Sequence, residues 1–577
     1  EVRLNGEVRP GEPRFVIRVE FGALRLDRLA ALGGPFAALA PLALPVGGYL
    51  TLGLSGDGSA TDLEFDLAGA SGHVAVGGAT NIPLTDMRLA GTFNDGATEA
   101  RIERFRVRVG GLAAEASGTI ERKDGKWRAA MTIGLDSEVP NAEIAPGHAR
   151  ARLDLAGQYD PGAGGVSAVV EVADLSPRLL SKLIPALTPA AALDIPLAGL
   201  VSFDAIAGRA SQELRFSLAG KDGTLDLGDR LPRPLAIKSL AVRGHAPSLA
   251  SLHIEQAVAD LGGPIVEMTG DLTQANGKTD VKANVGVRDL PVSELRHLWP
   301  IGSAEGGRRW ILENVSAGMI EEVKVAITTS LASGSEPAPS NLAGGMRFSG
   351  VRVRFFEPLP PVERVTGTAN IATNRIDFRF TGGSLGALRV ESGGMAVTGL
   401  QAKDQDGAIE TRIVGPLRDV MALLDRKPLG YAQWMGVDPA AVAGEAAVDL
   451  KVALPLIAAL KLDDVEIRAT GNLTGALIPK IAMGEDLSDG RLRIAVDKHQ
   501  LQLGGEAILA GVTTRLEGVE TFSGPPDGLR RRFEIKGTLD QAARARLNVD
   551  LDPYLRGPVR VDAVYGETFA GGGQVAL

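Results

Sequence analysis

Apolar and polar residues alternate with period two along most of the chain. Phe105, Val107 and Val109 interleave with Arg104, Arg106 and Arg108, Val351, Val353 and Phe355 with Arg352 and Arg354, and Ile376, Phe378 and Phe380 with Asp377 and Arg379. Val448, Leu450 and Val452 do the same around Asp449 and Lys451. Successive strand side chains point to opposite faces, so this pattern predicts strands with one apolar and one wet face. The dipeptides Asp57-Gly58, Asp95-Gly96, Asp124-Gly125, Asp222-Gly223, Asn276-Gly277 and Asp489-Gly490 punctuate the runs. Asp, Asn and Gly accept positive φ, which marks these sites as hairpin turns and the whole as an all-β antiparallel meander.

Helical periodicity is confined to short stretches. Pro416 to Asp425 carries Leu417, Val420, Met421, Leu423 and Leu424 on one face, with Pro416 placed for the first turn. Ser176 to Leu187 opens on a capping serine and Pro177, and a further helix starts near Ser293 to Leu298. Such helices are expected to plug an end or corner of the sheet.

The chain also resembles itself at long range. Leu63 to Gly69 matches Leu214 to Gly220, 151 residues on, and Pro45, Gly48 and Pro83-Leu84 fall on Pro196, Gly199 and Pro234-Leu235 at the same spacing. After a one-residue slip, Ile102-Glu103, Gly118 and Gly125-Lys126 match Ile254-Glu255, Gly270 and Gly277-Lys278. Two units result, about 21 to 140 and 172 to 291. The chain then divides into a first long β repeat at 1 to 170, a second at 171 to 292, a connecting segment at 293 to 340 and further β segments at 341 to 577. Leu29 to Gly56 carries no charge and is long enough to span a bilayer, but Pro35, Pro41 and Pro45 break it. Its counterpart, Leu179 to Gly208, holds Lys182 and Asp194. Equivalent segments share a fate, so a short helix, a proline turn and a strand are expected in both.

Composition narrows the function. A chain of 577 residues with 73 glycines and 33 prolines suits many short strands, and 45% hydrophobic residues suffice for burial. At roughly 12 residues per strand and turn, about 48 strands are expected. The net charge of −9, with Lys and Arg scattered singly, leaves no stripe to track phosphates, so nucleic acid is not an expected partner. No cysteine is present, which removes disulfides and thiolate chemistry without choosing a compartment. The sequence opens on Glu1 within a strand-like run, so it is taken as a fragment or processed product whose signal or anchor lies outside it.

Motifs that would carry catalysis fail on their spacing. Gly277-Lys278-Thr279 is no P-loop, because position 272 is Leu272 where that loop needs its first glycine. Six histidines, His73, His148, His245, His253, His297 and His499, include no pair at metal-binding spacing. Ser55 follows Gly53 but precedes Gly56 and Asp57, which is no nucleophile elbow. The expectation is a chain that is not an enzyme, with no catalytic residue, cofactor or metal.

Residues 298 to 320, LWPIGSAEGGRRWILENVSAGMI, bring a family into view. They resemble the signature of the YhdP-like branch of AsmA-like proteins, with Trp299-Pro300, Arg309-Trp310 and Asn314 followed by Gly318. Pro416 to Leu424, Pro428-Leu429, Val442-Ala443-Gly444, Leu454-Pro455-Leu456 and the stretch from Leu462 to Leu516, including Gly504-Gly505-Glu506-Ala507, follow that family's order. The resemblance implies an elongated sheet curled like a taco around an apolar groove, in the periplasm of a Gram-negative bacterium. It further implies anchoring in the inner membrane by a helix that this sequence lacks, and passage of phospholipid toward the outer membrane. Outer-membrane or other envelope proteins are the partners it suggests.

That mechanism is physically reasonable. An apolar sheet face must be covered, by a second sheet or by something from outside. If acyl chains cover it, each methylene contributes roughly 0.8 kcal/mol, and a sixteen-carbon chain on the order of 12 kcal/mol, about what it loses on leaving a bilayer. The lining expected from alternation is Leu63, Phe65, Leu67, Leu214, Phe216, Leu218, Ile376, Phe378, Val448 and Leu450, and the plainer reading of each is ordinary sheet core. Trp299 and Trp310 are expected to pack the connecting segment, and Arg308 and Arg309 to face solvent. Two other functions compete: an envelope scaffold whose apolar faces are sealed by protein, and a β-rich glycosidase or adhesin. Only 4 tryptophans and 5 tyrosines are available as sugar platforms for the last.

Overall fold

The structure is a computed structural model. It describes all residues except 1, 9–13, 30–41, 77–79, 95–97, 110–111, 138–150, 182–189, 207–211, 249, 276, 303–304, 333–339, 356–358, 403, 428, 458–459, 483–484, 548–553 and 577. The described residues form 32 strands with a few short helices, fewer and longer strands than a uniform 12-residue spacing suggests; the longest is Val315–Ala332. The chain forms two units, one of residues 1–285 with 328–338 and one of 286–327 with 339–577.

In the first unit, strands from Val2–Val8 to Ile265–Ala275 pair antiparallel with their chain neighbours, as the alternation predicts. The exceptions are two short strands that sit at equivalent places in the two sequence repeats. Leu42–Ala43 pairs with Ala60–Val76, and Leu193–Asp194 with Gln212–Leu225, each passing over one strand. Leu44 and Ile195 follow them, both fully buried. Leu44 lies over Gly72 and Ile195 over Gly223, where a Cβ would come within 2.7 and 2.4 Å of their side chains. The repeat read from the sequence is therefore a repeat of packing, glycine by glycine. The second unit holds an antiparallel meander of its own from Asn341–Val353 to Gly573–Ala576.

Of the six turn dipeptides, two turn the chain as expected. Asp57-Gly58 lies in the turn between Pro45–Ser55 and Ala60–Val76, and Asp124-Gly125, both with positive φ, joins Leu112–Lys123 to Lys126–Ser137. Gly277, at φ 72, precedes Lys278–Pro291, while Asn276 and Asp95-Gly96 lie outside the described residues. Asp222-Gly223 and Asp489-Gly490 are not turns. They lie inside the strands Gln212–Leu225 and Glu485–Asp497, where Asp222 and Asp489 take positive φ and the cross-strand pairing skips them. The dipeptide encodes the backbone angle, and a bulge needs the same angle as a hairpin. Such bulges bend a strand and increase its twist.

The helices Glu305–Asn314, Leu417–Leu424 and Gln541–Arg546 start from the same end of the strands. Six strands separate Glu305–Asn314 from Leu417–Leu424 and six more separate the latter from Gln541–Arg546, an even number that returns an antiparallel chain to the same end each time. Of the expected helix Ser176 to Leu187, Pro177–Ser181 is helical, and 182–189 lie outside the described residues. Likewise 30–41 of the uncharged stretch are not described, and around them stand a helical turn, Leu26–Leu29, and the strand Pro45–Ser55. Among the described residues no helix is long and apolar enough to cross a membrane.

Candidate functional site: an apolar sheet face

One row of side chains runs through the whole meander of the first unit. Leu4, Val19, Leu50, Phe65, Gly91, Ile102, Gly118, Met131, Leu155, Val170, Val201, Phe216, Gly244, Ile254 and Gly270 each stand directly opposite the next. Every member is apolar or glycine. One residue along, the opposite face begins Asn5, Arg18, Thr51, Glu64, Thr92, Arg101, Thr119. The candidates Leu63, Phe65, Leu67, Leu214, Phe216 and Leu218 all belong to the apolar face: Leu63 pairs with Leu52 and Phe93, and Leu218 with Val242.

The second unit repeats the arrangement. Met346, Ala369, Phe378, Met395, Ile409, Val452 and Ile467 form one row, and Ile413, Val448, Gly471, Ile494, Leu503, Gly518, Phe533 and Tyr565 another. Ile376 and Leu450 lie on the same face, opposite Val397 and Ala469. The polar face is laced by exposed ion pairs such as Arg88–Asp66 at 3.0 Å and Lys451–Glu410 at 2.9 Å. Pairs so exposed contribute about 0–1 kcal/mol each and serve mainly to keep that face wet.

Burial along the apolar face is uneven, and inserted segments explain it. In the first unit Leu135, Ala151, Val172 and Leu175 are buried with Leu179 and Leu180 of the inserted helix against them. In the second, Val292 and Leu295 pack on Phe348, Val351 and Val365. Away from such segments Met131, Leu155, Val170, Val201 and Phe216 are only half-buried, and Val166 and Tyr159 at the far end are exposed. The described residues provide no second sheet over this face.

Over the last strands of the second unit the chain covers itself. Leu417, Val437 and Val442 join Ala446, Leu473, Leu492, Leu516 and Phe533 in one buried cluster, with Val448 packed against it. At the strand ends away from the first helical turn, the rings of Tyr431 and Phe522 meet at 5.1 Å. Beside them the apolar face carries a charged row, Glu520, Arg531 and Glu567 in register. Arg531 donates to Glu520 at 2.9 Å and to the Met435 carbonyl at 3.4 Å, and lies 3.5 Å from Glu567. Tyr565 donates to Glu567 at 3.0 Å; burial, then this carboxylate, pushes its phenol upward, and burial does the same to Tyr431.

Within residues 298 to 320 polar side chains bond to the local backbone. The Arg308 side chain donates to the Trp299 carbonyl at 3.3 Å, and Asn314 to the Trp310 carbonyl at 2.9 Å. Gly318 passes so close to Val351 that a Cβ would lie 2.6 Å from its Cα. Arg309 is exposed.

Two features escaped sequence reasoning. His245 and His253 are cross-strand partners with rings 4.9 Å apart, held by Glu255 at 3.2 Å and Asp271 at 2.5 Å respectively. The signal was available in the closeness of the two positions in sequence, since the pairing of Ser248 with Ser251 sets residues eight apart opposite each other. They lie on the polar face, and among the described residues no group of three or more His, Asp or Glu is placed to hold a metal. The second feature is the aromatic pair Trp127 and Tyr159 at the exposed end of the apolar face, which nothing local in the sequence announces.

Comparison with protein-family models, with curated proteins and with solved structures returns no match.

Proposed function

We propose that this chain is a lipid-conducting segment of an AsmA-like protein of the YhdP type, lying in the periplasm and passing phospholipid between the inner and outer membranes. The observation that carries this reading is the uninterrupted apolar row of the first unit, half-buried along its middle and without a second protein layer among the described residues. Bare aliphatic surface of that extent needs a cover, and acyl chains match it chemically.

The dimensions suit the ligand. On the strand Lys126–Ser137 the apolar side chains run from Trp127 to Leu135, eight residues, or about 27 Å at 3.4 Å per residue. A lipid leaflet contributes roughly half of a bilayer core about 30 Å thick, so a chain fits along one strand. Neighbouring strands present the same surface about 4.8 Å away, so sideways movement exchanges like for like. Leu63, Phe65, Leu67, Leu214, Phe216, Leu218, Ile376, Phe378, Val448 and Leu450 would contact acyl chains, with Val448 reached only at the margin of the self-covered region. Anchoring in the inner membrane and contact with outer-membrane or envelope proteins belong to the same proposal.

The test is solvent extraction of the purified chain followed by mass spectrometry. Phospholipid at one or more molecules per chain is expected. A lipid-free chain that stays folded and monodisperse would overturn the reading in favour of a scaffold.

A further inference from the structure

We propose that Arg122, Trp127 and Tyr159 form the headgroup end of an acyl site in the first unit, selecting lipids that carry a phosphate. This rests on the trough reading above and adds to it a polarity and the residues that meet the headgroup.

The three residues are in register on the apolar face. Arg122 pairs with Trp127, Trp127 with Tyr159, and Tyr159 with Val166, at the strand ends opposite the inserted helix. The same face at the other end is closed by the buried Leu135, Ala151, Val172 and Leu175. A lipid lying along these strands has one closed apolar end and one open end, so its tails point to Leu135 and its headgroup to Arg122.

The open end has the chemistry of a membrane interface. Trp and Tyr have an apolar body and a polar tip, and Tyr159 is 43% exposed beside Val166 at 40%. The Arg122 guanidinium stands 5.8 Å from the Trp127 ring centroid, and no carboxylate among the described residues pairs with it. An arginine held over an indole keeps its fork of donors for a planar or tetrahedral oxyanion. Lys126 differs: it is one residue from Trp127, points to the opposite face, and is paired with Asp160 at 3.1 Å. The corresponding open end of the second unit is shut by its own charges, since Arg531 there is bound to Glu520 and Glu567.

The phosphate comes from the lipid, because the guanidinium and the apolar row meet at one place and a phospholipid satisfies both. The experiment loads delipidated chain with an equimolar mixture of dioleoylphosphatidylglycerol and dioleoylglycerol, which share their tails, and measures the bound ratio by mass spectrometry. Wild type should favour the phospholipid. Arg122→Gln should lower the ratio roughly five- to tenfold without lowering total lipid bound, as expected for losing one charge-assisted contact, and Trp127→Leu should lower it less. Lys126→Gln should leave it unchanged. An unaltered ratio in Arg122→Gln, or an equal fall in Lys126→Gln, overturns the headgroup site while leaving the trough standing. If wild type takes up neither lipid, the trough reading itself fails.

Discussion

Gly518 faces Phe533 across neighbouring strands so closely that a Cβ on the glycine would lie 2.0 Å from the ring's Cδ1. The same partnership joins Gly91 to Phe65, Gly244 to Phe216 and Gly367 to Phe348, each glycine lying under the tip of its phenylalanine. A ring that folds over an adjacent glycine covers backbone that would otherwise be bare and keeps the apolar face smooth. Gly518→Val should therefore destabilise the chain by about 1–3 kcal/mol through overpacking, read as a lower urea midpoint. Combining it with Phe533→Ala should cost less than the sum of the two single changes, because the valine then occupies part of the vacated space. Additive losses would show that the ring and the glycine do not share one site. These pairs were half legible: Phe65 and Phe216 are visible by alternation, but Gly91 and Gly244 became their partners only once strand register was known.

Among the elements, the segment from Leu417 to Val442 departs most from its simplest reading. Its first helix was legible from spacing, Leu417–Leu424 against an expected 416 to 425. Its course over the apolar face was not, because that depends on contacts such as Arg531 to the Met435 carbonyl, 96 residues apart in sequence. Glu520 and Arg531 are 3% and 7% exposed, so neither charge has water to replace its partner. Arg531→Met leaves the buried Glu520 and its neighbour Glu567 only the longer 3.9 Å contacts of Arg530 and should cost up to about 3–5 kcal/mol, whereas adding Glu520→Gln should recover part of that loss. Denaturant unfolding measures the difference, and trypsin cleavage after the exposed Arg426 should speed up in the single variant as the segment loosens. Unchanged cleavage would mean that the ion cluster does not hold the segment down. The misread Asp222-Gly223 and Asp489-Gly490 belong to this scale too: local residues state a φ angle, and only the neighbouring strand decides whether the chain reverses there or bulges.

For the molecule as a conduit, what matters is continuity, and it can be broken at one residue without unfolding the sheet. Phe216 sits between Val201 and Gly244 within the first unit's row, half-buried, so an aspartate there keeps contact with water and should leave the fold intact. An acyl chain moving across it would lose contact for about two methylenes, roughly 1.6 kcal/mol at 0.8 kcal/mol each, which corresponds to about a tenfold slower passage. Phe216→Asp should thus slow lipid transfer between donor and acceptor vesicles about tenfold, while lipid still loads onto the chain on either side of the lesion. Ser217→Asp places the same charge one residue along on the opposite, polar face and should leave transfer unchanged. If both variants transfer like wild type, lipid does not travel along this row; if both lose transfer equally, net charge rather than the continuity of the face governs it. Loading and transfer separate only in a conduit, since a storage site would lose occupancy in proportion to the surface removed and have no rate to lose.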